Sequence, residues 1–81
     1  MKFITITYRT SKNELNRTYS IKDNAEIKAL INDDIESFRE DYHININTYS
    51  IREATKNEVI SYLEEYENDD LIYMICNLLN L

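Results

Sequence analysis

A chain of 81 residues without a single glycine or proline has few ways to reverse direction. Glycine reaches positive φ without a Cβ clash and proline presets tight turns, and together they normally make up about 12% of a protein. Asparagine is then expected to supply the turns. It is the non-glycine residue best suited to the left-handed region, and there are ten, including Asn13, Asn16, Asn32 and Asn68. The same absence excludes Walker-type and Rossmann-type nucleotide sites, because their phosphate loops bring backbone to a place that a Cβ would fill.

The composition nevertheless favours a folded chain. Apolar residues make up 43% of it, with twelve isoleucines, seven tyrosines and two phenylalanines, enough for the core of one domain over 1–81. A chain of this length buries only about 60–65% of the surface exposed on unfolding, so its stability margin is small. The single cysteine, Cys76, forms no internal disulfide and points to a reducing cytosol. Met1 to Thr7 alternates polar and apolar residues, unlike a secretory signal. The apolar run from Leu71 to Leu81 is about half the length that spans a bilayer. A cytoplasmic protein with no membrane association is expected.

Periodicity gives the element order. Ile4, Ile6 and Tyr8 share one face and Phe3, Thr5 and Thr7 the other, the period of a strand. A polar loop, Thr10 to Asn16, leads to a second strand over Arg17–Ile21 and so to a hairpin. Asp23 and Glu26 fit a capping box, after which Ile27, Leu30, Ile31, Ile35, Phe38 and Tyr42 form a helical stripe, with His43 placed to cap its end. Ile44 and Ile46, then Tyr49 and Ile51 on the opposite parity, read as a strand bulged near Asn47–Thr48. Thr55 and Glu58 form a second capping box ahead of a helix carrying Val59, Ile60, Leu63 and Tyr66. Residues 71–81 favour a third helix over a buried strand. The expected class is α+β: an antiparallel sheet of about three strands covered by two or three helices, in the order ββαβα(α).

No motif for catalysis, cofactor or metal emerges. His43 is the only histidine and lacks a second ligand at metal spacing. Cys76 lies in the most apolar segment, where a thiol behaves as a small hydrophobe. Asn68-Asp69-Asp70 lacks the alternating ligands and turn glycine of a calcium loop. The chain reads as a non-enzyme.

Charge is the strongest functional signal. Residues 1–56 hold nine acids and nine bases, whereas residues 57–81 hold six acids and no base, so the whole net charge of −6 sits in the last third. Such a field repels nucleic acid and attracts a basic protein. Two acidic groups stand out: Asp33, Asp34, Glu36, Glu40 and Asp41 on the first helix, and Glu64, Glu65, Glu67, Asp69 and Asp70 closing the second. Carboxylates at a helix C-terminus oppose the macrodipole, which suggests a role in binding rather than folding. Tyr62 and Tyr66 lie one turn apart beside them, and tyrosine flanked by acid suits an interface. The expected function is a non-catalytic, acidic protein-binding module, an inhibitor or regulator that docks on the basic surface of a nucleic-acid-binding enzyme. The anti-restriction and anti-CRISPR DNA mimics of phages and plasmids offer an analogy of chemistry only. The alternative is a structural subunit that homodimerises through 71–81.

Overall fold

A computed structural model of the chain describes residues 2–66. Five elements follow one another: β1 (Lys2–Arg9), β2 (Glu14–Ile21), α1 (Ala25–Tyr42), β3 (Thr48–Glu53) and α2 (Lys56–Tyr66). This is the α+β order ββαβα anticipated from the sequence. The expected element over 71–81 lies outside the described residues, as does Asn68. The sheet is antiparallel throughout, with strand order β2-β1-β3.

The composition of β1 places it in the middle. Phe3 to Tyr8 is buried at every position, so both faces of the strand are covered. On one face Ile4, Ile6 and Tyr8 pack with Ile21 of β2 and with Ile31 and Phe38 of α1. On the other, Phe3 meets Val59 and Leu63 of α2. Full burial of such a side chain contributes about 1.5–3 kcal/mol before entropic costs. Thr5 and Thr7 lie buried on the α2 face, and cross-strand partners in register satisfy their hydroxyls. Thr5 Oγ1 lies 2.8 Å from Thr18 Oγ1, and Thr7 Oγ1 donates to Asn16 Oδ1 at 2.7 Å.

The hairpin is tighter than expected. Thr10 N–H donates to the Asn13 carbonyl (2.9 Å), and Thr10 Oγ1 accepts from the N–H groups of Lys12 and Asn13. β2 therefore begins at Glu14 rather than Arg17. Its early residues alternate exposed Glu14 and Asn16 with half-buried Leu15, and their polarity hides a strand inside an apparent loop.

The capping box expected at α2 forms in full and the one at α1 in part, the α1 helix being capped at Asn24 without a side-chain bond. Glu26 Oε2 accepts from Lys22 N–H (2.6 Å) and Asp23 N–H (3.2 Å), while Asp23 Oδ1 accepts from Ala25 N–H (2.5 Å). At α2, Thr55 N–H donates to Glu58 Oε1 (2.9 Å) and Glu58 N–H donates to Thr55 Oγ1 (3.2 Å).

The expectation that asparagine supplies the turns holds for Asn13 in the hairpin, but no asparagine among the described residues takes a positive φ. The one positive φ there belongs to His43, at 57°, where α1 stops. Asn16 sits in β2 and Asn32 inside α1 instead. Ile44 N–H then donates to the Phe38 carbonyl (2.9 Å), and Ile44 and Ile46 turn back onto the α1 core before β3 begins at Thr48. Asn47 N–H donates to the Arg9 carbonyl (2.8 Å) although Thr48 is Arg9's register partner, so two residues face one. That is the counting of a β-bulge, but the strand expected to run from Ile44 through it does not form. Residues 43–47 are irregular because Ile44 and Ile46 pack on the α1 core, and β3 covers Thr48–Glu53 alone.

A left-handed conformation costs a non-glycine residue roughly 1–2 kcal/mol. His43→Gly should therefore raise the unfolding free energy in urea by about 1 kcal/mol, provided that imidazole contacts contribute nothing; an unchanged or lowered midpoint counts against strain at this cap.

Candidate functional site

The acids expected to bind a partner separate into two populations, those that hold the fold together and those that face solvent. Asp34 belongs to the first, and its placement corrects the expectation. It lies three residues after Ile31 and four before Phe38, squarely within the apolar stripe of α1, and the residue is only 5% exposed. Tyr8 Oη donates to Asp34 Oδ2 at 2.6 Å, and Tyr19 Oη lies 2.6 Å from both carboxylate oxygens. Arg17 Nη1 donates to Oδ1 at 3.0 Å while its guanidinium carbon sits 4.5 Å above the Phe38 ring. Burial, reinforced by hydrogen bonding to Asp34, pushes the Tyr8 phenol well above its ordinary range and Tyr19 up to about 12. Both phenols are therefore neutral donors at ordinary pH. Asp34 is a structural carboxylate, unavailable to a partner.

Glu58 is the second structural acid. Arg52 of β3 grips it with both ends of its fork, Nη1 to Oε1 at 2.6 Å and Nη2 to Oε2 at 2.9 Å. The Arg52 guanidinium, followed by the Thr55 backbone and hydroxyl, holds the Glu58 carboxyl down at about 2. β3 and the start of α2 are clamped together by this pair.

The second population remains at the surface. Asp33, Glu36 and Glu40 are exposed, and at helical steps of three and four they form one stripe along α1. Glu64 and Glu65 are exposed near the end of α2, whose last turn holds no basic residue. None of these five forms an ion pair with another described residue. Asp41 accepts from Ser37 Oγ (3.0 Å). Tyr62 is half-buried with its ring edge-on to Phe3, the centroids 5.9 Å apart, so part of it serves the second core. Glu67, Asp69 and Asp70 lie outside the described residues, as does the side chain of Tyr66.

An open groove of about 660 Å³ runs between β2 and α2, lined among others by Asn16, Thr18, Asn57, Ser61, Tyr62 and Glu65. His43 borders a different depression, beside Lys12 and Asn45. Among the described residues no three His, Cys, Asp or Glu side chains group as metal ligands, and no helix is long and apolar enough to cross a membrane. Compared with known proteins, this small α+β domain matches no protein-family model, no curated protein and no solved structure.

The buried network was missed because hydrophobic periodicity counts Asp34 as polar wherever it falls. The available signal was a carboxylate on the apolar stripe of a chain unusually rich in tyrosine. Asp34→Ala strands two phenols and a guanidinium and should lower the unfolding free energy by about 3 kcal/mol, with Asp34→Asn intermediate. A loss below about 1 kcal/mol by urea denaturation would contradict the assignment. For Glu58 the folded carboxyl titrates below its ordinary 4.5, so its contribution is complete above that pH and is lost as pH falls toward about 2. In melting curves across that window Glu58→Gln should flatten the acid loss, and an identical pH profile would show that the clamp contributes nothing.

Proposed function

We propose that this protein is a non-catalytic, acidic protein-binding module that docks on a basic, nucleic-acid-binding surface of another protein and thereby inhibits or regulates it. The observation that carries this reading is the partition of the acids. Asp34 and Glu58 are matched by Arg17 and Arg52, whereas Asp33, Glu36, Glu40, Glu64 and Glu65 are exposed and form no ion pair with a described residue. The unmatched acids work against the fold where they sit, since Glu64 and Glu65 face the negative end of the α2 dipole.

The α1 stripe has the dimensions for such a task. A rise of 1.5 Å per residue separates Asp33 from Glu36 by about 4.5 Å along the axis and Glu36 from Glu40 by about 6 Å. These intervals are of the same order as the axial charge spacing of a DNA strand, about 3.4 Å. A cationic groove built for phosphates meets a comparable row of anions. Small phage and plasmid inhibitors of restriction and CRISPR nucleases use this chemistry, and the parallel concerns the charge pattern alone.

The test is capture from a lysate of the native host by the wild-type chain and by a variant with Asp33, Glu36, Glu40, Glu64 and Glu65 all changed to Lys. The wild type should retain a nucleic-acid-binding protein that salt elutes and that added DNA or RNA displaces. The variant, folded by circular dichroism, should bind at least about tenfold more weakly, ~1.4 kcal/mol. Equal capture by the two chains would refute the docking surface.

A further inference from the structure

Among the described residues the outer edge of β3 has no strand paired to it. All six of its residues are exposed, and Tyr49 and Ile51 are 49% and 42% exposed although large and apolar. Their register partners on β1 are Tyr8 and Ile6, so both lie on the sheet face that α1 covers elsewhere. An open edge with apolar side chains is one that monomeric proteins usually guard with lysine, proline or an in-strand bulge. Residues 48–53 contain none of the three, and their two charges, Arg52 and Glu53, both sit at the C-terminal end of the strand.

The phase of the ladder defines what the edge offers. Ala54 N–H donates to the Phe3 carbonyl at 3.1 Å, in register with the strand pairs. Antiparallel strands alternate hydrogen-bonded and non-hydrogen-bonded pairs. Thr48, Ser50 and Arg52 therefore turn their backbone groups toward β1, and Tyr49, Ile51 and Glu53 turn theirs outward. On the opposite strand the same count holds, since Thr10 bonds to Asn13 in the phase of the β1–β2 pairs.

From this geometry we infer that β3 pairs antiparallel with β3 of a second copy of the chain, across a two-fold axis at Ser50, to give a continuous six-stranded sheet. Same-face matching requires pairing residues of equal parity, which leaves few registers. With the axis at Ser50, Tyr49 lies opposite Ile51 of the second copy and Ile51 opposite its Tyr49. These are two aromatic–β-branched pairs on backbone groups that point the right way. Thr48 lies opposite Arg52 of the second copy and Glu53 opposite its Asn47, so no like charges meet. Moving the axis to Ile51 leaves one Ile–Ile pair and sets each Tyr49 against a glutamate. With Arg52 held by Glu58, Glu53 is the strand's one remaining charge, so the edge offers a basic partner little to recognise beyond a single carboxylate. The −6 carried by each copy is confined to residues 57–81 and opposes association only at long range.

Light scattering and thiol cross-linking test the pairing. The wild type should run at twice the 9.7 kDa chain mass, and raising salt should strengthen the dimer by screening its net charge. A Tyr49→Lys/Ile51→Lys double variant should run at the single-chain mass. In a Cys76→Ser background, Ser50→Cys should oxidise to a covalent dimer, because a non-hydrogen-bonded pair sets its two Cα atoms about 4.5 Å apart. Thr48→Cys and Arg52→Cys should not. A monomeric wild type, a dimer that survives the double lysine variant, or cross-linking equal at all three positions would each overturn the proposal. None of these outcomes depends on capture of a basic partner.

Discussion

The Asp34 carboxylate is the constraint on which the rest of the domain depends. A charge taken out of water costs several kcal/mol unless every lone pair is answered, and here two phenols and a guanidinium answer it. Those donors come from β1 and β2, while the acceptor comes from α1. The network therefore joins the hairpin to the helix at one place. A stripe rich in isoleucine packs against a sheet in several nearly equal ways, because hydrophobic contact has little direction. Sliding or rotating α1 by one residue would leave the carboxylate facing isoleucine. The position of the helix is set by the polar exception in the core, and the apolar majority supplies the driving force.

From that anchor the charges of the first 56 residues make sense. Nine acids and nine bases balance there, and two ion pairs form within that stretch, Arg9 with Glu14 and Arg17 with Asp34. Arg52 is the exception, because it reaches out of β3 to Glu58, the first of the six acids in residues 57–81. Glu58 is thereby converted from surplus charge into a fastening for α2. Glu64 and Glu65 receive no such match among the described residues. The distinction between structural and surplus acid runs through single helices and is invisible to a count of net charge.

Much of the fold was legible in the sequence because it depends on residue type at fixed spacing. The alternation of Phe3 to Tyr8 marks β1, and the pairs Asp23–Glu26 and Thr55–Glu58 mark the two helix starts, each a local chemistry readable within four residues. The failures share a different cause. β2 begins early because solvent-facing Glu14 and Asn16 look like loop, Asp34 is buried because partners from other elements accept it, and His43 is left-handed because it stands where the helix must stop. Each is decided by tertiary context. The candidate site was half legible for the same reason: exposure of Asp33, Glu36 and Glu40 follows from helical phase, but the burial of Asp34 between them in sequence requires knowing where Tyr8 and Tyr19 end.

The lack of glycine and proline bears on the surfaces as well as the turns. Proline is one device by which an edge strand is closed to partners, and a bulge within the strand is another; the bulge of this chain falls at Asn47, just before β3 rather than in it. Among the described residues β3 is left short and without a strand on its outer edge. On the proposed readings the two functional surfaces then obey opposite electrostatics. The α1 and α2 acids attract a cationic partner, and that attraction fades as salt screens it, whereas the β3 edge draws two copies together by apolar contact and backbone pairing, against a repulsion that salt removes. Because the docking acids lie on α1 and α2 and the edge lies at 48–53, the two associations need not compete for the same atoms. A dimer would present two copies of the acidic surface on one rigid sheet, and a basic groove long enough to meet both would gain through effective concentration.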